Sequence, residues 1–173
     1  MAWARASSAV KHNLKEWSKL NYTDIIYYQH NYPNFKFGLG DVASNGCGAI
    51  AVYNILVLEQ KYKPFPEIIK YFDNGNENIF GYLGSNPFGV ISYLKNEGYK
   101  VNTYLKSADY KTAAINSKYS ILMYLNLKYG HYQLLYNYDE HSNLFYENPK
   151  TKVNLDSLLE SKKDFFKILI TVN

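Results

Sequence analysis

Cys47 is the only cysteine among 173 residues, and it lies in the run Ser44-Asn45-Gly46-Cys47-Gly48-Ala49-Ile50. A polar, glycine-containing turn there meets an apolar stretch that reads as a helix, with the cysteine at the junction. A helix N-terminus offers backbone N–H groups without intrahelical partners and the positive end of the helix dipole. Both favour the thiolate, the nucleophilic form. A cysteine nucleophile also needs a base to take its proton and a group to hold that base. Of the four histidines, His131 follows Gly130 directly and starts an alternating, strand-like run; Asn148, 17 positions later, ends the next such run. Antiparallel neighbours joined by a short hairpin bring the start of one strand beside the end of the next. His131 and Asn148 are therefore expected close in space, with the amide orienting the ring and selecting its tautomer.

The elements that must position these residues divide into a helical first half and a strand-rich second half. Residues 11–20 carry Leu14, Trp17 and Leu20 at amphipathic spacing, residues 25–28 read as a short strand, and 31–46 as a loop broken by Pro33, Gly38, Gly40 and Gly46. The pattern predicts a buried helix from Cys47 to about Glu59, a second from Pro66 to Phe72 with proline in its first turn, and a third from Pro87 to Asn96 stopped by Gly98. A polar stretch, 73–86, separates the last two. Strands are expected at 99–105, 120–127, 132–139, 144–148 and 165–172, and short helices at 108–116 and 155–161. Helices followed by an antiparallel sheet make an α+β fold in one domain.

Composition narrows the function classes. The net charge is +4 and the longest basic block is Lys162-Lys163, so no nucleic-acid partner is expected. No apolar run reaches the length of a membrane span, and the first ten residues lack a signal-peptide core. With one cysteine no intramolecular disulfide framework exists. A cytoplasmic location is favoured, and a secreted mature form stays open. The histidines and the cysteine show no metal-type spacing, so neither a metal nor a cofactor is expected. The stretch Gly81-Tyr82-Leu83-Gly84-Ser85-Asn86-Pro87 lacks the Lys-Ser/Thr end of a phosphate loop and is read as a loop near the site. His141 reads as a solvated hairpin residue, and His12 and His30 have no evident partner. The 19 tyrosines suit half-buried strands and carry no functional reading.

The ordered set Asn45-Gly46-Cys47-Gly48-Ala49-Ile50-Ala51, Gly130-His131-Tyr132 and Tyr146-Glu147-Asn148-Pro149 resembles the papain-like cysteine peptidases. It is most similar to their compact bacterial branch, the double-glycine leader peptidases. The 84 positions from Cys47 to His131 are fewer than the roughly 130–150 of papain-type enzymes, which favours that branch. The resemblance implies a helical half whose central helix starts at the nucleophile, an antiparallel sheet half, a cleft between them, and a peptide or peptide-like substrate. The resemblance spans about residues 37 to 150 and implies Cys47 as nucleophile, His131 as general base and acid, and Asn148 orienting His131. Within one globular domain, residues 1–30 are read as a lead segment ahead of a peptidase-like part at 31–173, and whether they belong to that part or block its cleft stays open. The family's oxyanion glutamine falls six positions before the cysteine, where this chain has Asp41. An ionised carboxylate only accepts hydrogen bonds. Either Asp41 is protonated or another donor acts, and Asn45, two residues before Cys47, is the candidate beside the Cys47 N–H. Two alternatives to hydrolysis stay open: acyl transfer to an amine on the same scaffold, and a degenerate domain that only binds peptide.

Overall fold

The computed structural model describes residues 2–20, 24–75, 84–125, 130–139, 144–147, 151–161 and 166–173. The chain divides into two compact units, residues 1–90 and 91–173.

The first unit is helical. Helix α1 spans Ala2–Trp17, a 3-10 turn covers Gln29–Asn31, and a two-stranded hairpin pairs β1 (Lys36–Phe37) with β2 (Gly40–Asp41). Helices α2 (Val42–Asn45), α3 (Cys47–Leu58) and α4 (Phe65–Asp73) follow. Every residue of α3 from Cys47 to Val57 is buried, as an all-round apolar helix requires. Around Tyr53 of α3, the rings of Trp17 and Phe65 lie at centroid distances of 5.8 and 5.3 Å, and Phe35 and Tyr32 extend the cluster through Phe65. Such edge-to-face and tilted contacts suit the aromatic quadrupole. Helix α5 (Pro87–Asn96), within which the division between the units falls, begins where Asn86 Oδ1 accepts the Phe88 N–H at 2.8 Å and ends before Gly98, whose φ is +87°.

Two expectations fail in this unit. Residues 25–28 form no strand, because the backbone of Ile26 is already satisfied by a side chain. The buried Asn54 of α3 receives the Ile26 N–H and donates to the Ile26 carbonyl, both at 2.9 Å. The expected loop 31–46 contains β1, β2 and α2. Its hairpin is held the same way: Asn13, fully buried on α1, receives the Lys36 N–H at 2.8 Å and donates to its carbonyl at 2.9 Å. The buried Asp73 accepts the N–H of Gly38, the positive-φ residue of the turn, at 2.9 Å.

The second unit is a six-stranded antiparallel sheet in the order β3-β8-β4-β5-β6-β7, with two short helices. The strands are β3 (Val101–Tyr104), β4 (Tyr119–Leu125), β5 (Gly130–Asp139), β6 (Leu144–Glu147), β7 (Thr151–Asn154) and β8 (Phe166–Val172). Six of the seven residues of β4 are buried, the mark of a central strand covered on both faces. The cross-strand pair Leu122–Leu169, with Tyr124 and Leu135, forms one face. That face makes a single buried cluster with Tyr110 and Ala114 of α6 (Ser107–Ile115) and Leu155 and Leu158 of α7 (Leu155–Ser161). Strand β7 has no counterpart among the sequence expectations. The polar stretch 73–86 and the hairpin links after β4 and β5 fall largely outside the described residues.

Candidate active site

Cys47 is the first residue of α3, at the junction the sequence predicted, and is only 7% exposed. The turn before it is a short helix rather than a loop. Asp41 caps α2, its Oδ1 accepting the Ser44 N–H at 2.8 Å. Gly46 closes α2 by donating its N–H to the Val42 carbonyl and opens α3 by accepting the Ile50 N–H, both at 2.9 Å. A Cβ on Gly46 would come within 2.6 Å of the Val42 carbonyl and 2.5 Å of its Cγ1. Only glycine lets the two helices meet one residue before the thiol. Among the described residues no side chain caps the N-terminus of α3, the end of a helix that carries backbone N–H groups without intrahelical partners.

Asp41 and Asn45, the two oxyanion candidates, flank this turn and differ in chemistry. Asp41 already acts as an acceptor, the role natural to a carboxylate. Asn45, the last residue of α2, is half-buried, and its side-chain amide makes no hydrogen bond among the described residues. In the sequence Gly40 and Gly46 mark only a broken loop, and Gly84 only a stretch near the site; what each glycine packs against has no local signature. A Cβ on Gly84 would lie 2.8 Å from the Asn45 carbonyl oxygen.

His131 belongs to the second unit. It is the second residue of β5, half-buried, directly opposite Tyr124 on β4, with the ring centroids 5.6 Å apart. The register of β5 and β6 sets Glu147 opposite Leu135 rather than opposite His131. Those two positions of β5 are four steps apart along the strand, about 13 Å at ~3.3 Å per residue. The expected neighbour Asn148 lies outside the described residues, as does His141. His12 does have a partner: its Nε2 donates to the Asn34 carbonyl at 2.7 Å. His30 sits exposed in the 3-10 turn. Among the described residues no cluster of three or more His, Cys, Asp or Glu could hold a metal ion. None of the described helices is long and apolar enough to cross a membrane.

No family model matches the chain, and no curated protein matches it either. Solved structures do. A double glycine motif protease from an AMS/PCAT transporter, determined in complex with its leader peptide, superposes with a TM-score of 0.52 at 17% identity, covering 86% of this chain and 95% of that one. The peptidase domain of Streptococcus ComA, a bifunctional ABC transporter involved in a quorum-sensing pathway, gives a TM-score of 0.52 at 10% identity, covering 73% and 89%. Identities this low speak to the fold alone. The chain has the mixed helix and antiparallel-sheet fold of papain-like cysteine peptidase domains of the double-glycine motif kind.

Proposed function

We propose that this protein is a cysteine peptidase that cleaves a peptide substrate through an acyl-thioester on Cys47. The observation that carries the reading is the position of the lone cysteine: first residue of a buried apolar helix, after a glycine junction that admits no side chain. The fold is that of peptidase domains, one of them solved with a leader peptide, which supports a peptide as the substrate class. In this reading the Cys47 sulfur attacks the scissile carbonyl carbon and its proton passes to His131. The carbonyl electrons move to oxygen, which the Cys47 N–H and the Asn45 side-chain amide stabilise. His131 then protonates the leaving amine as the C–N bond breaks, and water hydrolyses the thioester. Asn148, the residue after Glu147, takes the role of orienting His131 from the family resemblance alone. Asp41, engaged as an acceptor at the start of α2, leaves the donor role to Asn45. Each such donor is typically worth about 100- to 1000-fold in rate.

The reading is tested with an acetyl-Gly-Gly vinyl sulfone, followed by intact mass and peptide mapping. The native chain is expected to acquire one adduct, on Cys47, faster than the urea-unfolded chain. Labelling of the unfolded chain alone would overturn a reactive thiol.

A further inference from the structure

Gly40, in β2, has no conformational need to be glycine. Gly38 and Gly84 have φ of +59° and +70°, but Gly40 is not among the positive-φ residues. A side chain there would meet the amide of Asn45. A Cβ built on Gly40 would lie 2.8 Å from Asn45 Nδ2, whereas the next atoms, Asn45 Cγ and the Phe37 carbonyl oxygen, are 3.9 Å away. The backbone of Asn45 is approached by Gly84, whose Cβ would fall 2.8 Å from the Asn45 carbonyl oxygen. One missing side chain therefore clears space for the amide head, and another lets the chain pack against the backbone that carries it. The amide so placed is half-buried and has no hydrogen-bond partner among the described residues. Nothing inside the described structure consumes its N–H groups.

We propose that Gly40 and Gly84 are positioning residues for the Asn45 side-chain amide, Gly40 by leaving room for its head and Gly84 by fixing its backbone. The proposal rests on Asn45 being the oxyanion donor and adds what holds that donor in place. Gly40 gives the sharper test. The atom a methyl group would strike is the far end of a flexible side chain, so Gly40→Ala is accommodated by swinging the amide away. Gly84→Ala would strike backbone at a positive φ and strain the turn itself.

The probe is acetyl-glycyl-glycinal, a peptide aldehyde. Cys47 sulfur bonds to the aldehyde carbon, the carbonyl electrons go to oxygen, and the thiol proton ends on that oxygen, giving a reversible hemithioacetal whose oxygen occupies the oxyanion position. Iodoacetamide is the control: sulfur displaces iodide from carbon and no oxyanion forms. Asn45→Ala is expected to weaken glycinal capture about 100-fold. Gly40→Ala is expected to weaken it about tenfold or more, with the iodoacetamide rate unchanged and the thermal midpoint within about 2 °C. In the Asn45→Ala background, Gly40→Ala should add no further loss, as expected when two residues act through one interaction. A Gly40→Ala chain that captures the aldehyde as the wild type does overturns the proposal while leaving the donor reading intact. Loss of the same factor in the Asn45→Ala background does so as well. Wild-type capture by Asn45→Ala overturns the donor reading and this proposal together. A wild-type chain that never forms the adduct removes the peptidase reading itself.

Discussion

The two units of this chain satisfy their backbones in opposite ways. In the second unit the work is done by a ladder: β4 pairs residue by residue with β5 on one side and β8 on the other, from Tyr119 to Leu125. In the first unit the chain between α1 and α3 is irregular, and side chains reach out to hold it. Asn13 holds Lys36, Asn54 holds Ile26, Asp73 holds Gly38, and Gln29 donates to the Ala43 carbonyl at 2.8 Å. A ladder is redundant, since each strand is fixed by many equivalent bonds. A side-chain clamp is singular, and removing it strands backbone groups that burial has taken out of water. The candidate nucleophile sits in the unit built from clamps, and His131 sits on the ladder. The turn before Cys47 is thus shaped by a few individual residues, while the strand carrying His131 is held by its ladder neighbours.

The contrast is broken most strongly at Asn54. Asn54→Ala leaves the buried Ile26 N–H and the Ile26 carbonyl without their partner, at about 1–3 kcal/mol per stranded group. A loss of about 3 kcal/mol is expected in urea unfolding, and a loss under 1 kcal/mol would mean that the clamp is not what holds this segment. The second unit offers the converse case in Tyr110. Its hydroxyl is buried with no hydrogen-bond partner among the described residues, inside the apolar cluster of α6, α7 and the sheet. Burial pushes its ionisation above the ordinary tyrosine value. Tyr110→Phe removes a polar group that gains nothing from folding, so stability should hold or rise by up to about 1 kcal/mol. The sign with pH follows. A pKa raised by folding leaves stability intact below the unfolded value of about 10 and erodes it as pH rises beyond. The wild type should therefore lose stability relative to Tyr110→Phe only above about pH 10, read from denaturation midpoints at pH 7, 9 and 11. A marked destabilisation by Tyr110→Phe at pH 7 would show that the hydroxyl is satisfied after all.

The same contrast explains what was legible in the sequence. Helix α3 starts at Cys47, and α5 and α7 have the expected bounds, because apolar periodicity and proline or glycine punctuation are local signals. Strand β5 shows its alternation from Tyr132, whereas β4 reads as a short continuous apolar run, the pattern of a strand buried on both faces. Residues 25–28 looked like a strand by composition, yet their partner is Asn54, 28 positions from Ile26; a clamp over that distance leaves no local mark. Helix α2 is four residues long, too short for periodicity, and its one cue was Asp41 three positions before Ser44. Strand β7 contains a single large apolar residue, Val153, and so carried no alternation. At the candidate site the cysteine and its helix were readable from types and spacing. The reason for glycine at position 40 was not, because it depends on where the Asn45 amide points.

In the proposed function Cys47 is a nucleophile activated by its place at the start of α3 and by His131. The most direct measurement is the rate at which iodoacetamide alkylates Cys47 at pH 6, where an unperturbed thiol near pKa 8.5 is less than about 1% thiolate. The rate would be compared for the native chain, the His131→Ala chain and the urea-unfolded chain. The native chain is expected to react at least about tenfold faster than either of the others. Equal rates in all three would contradict it, leaving Cys47 an ordinary buried thiol at the head of a helix.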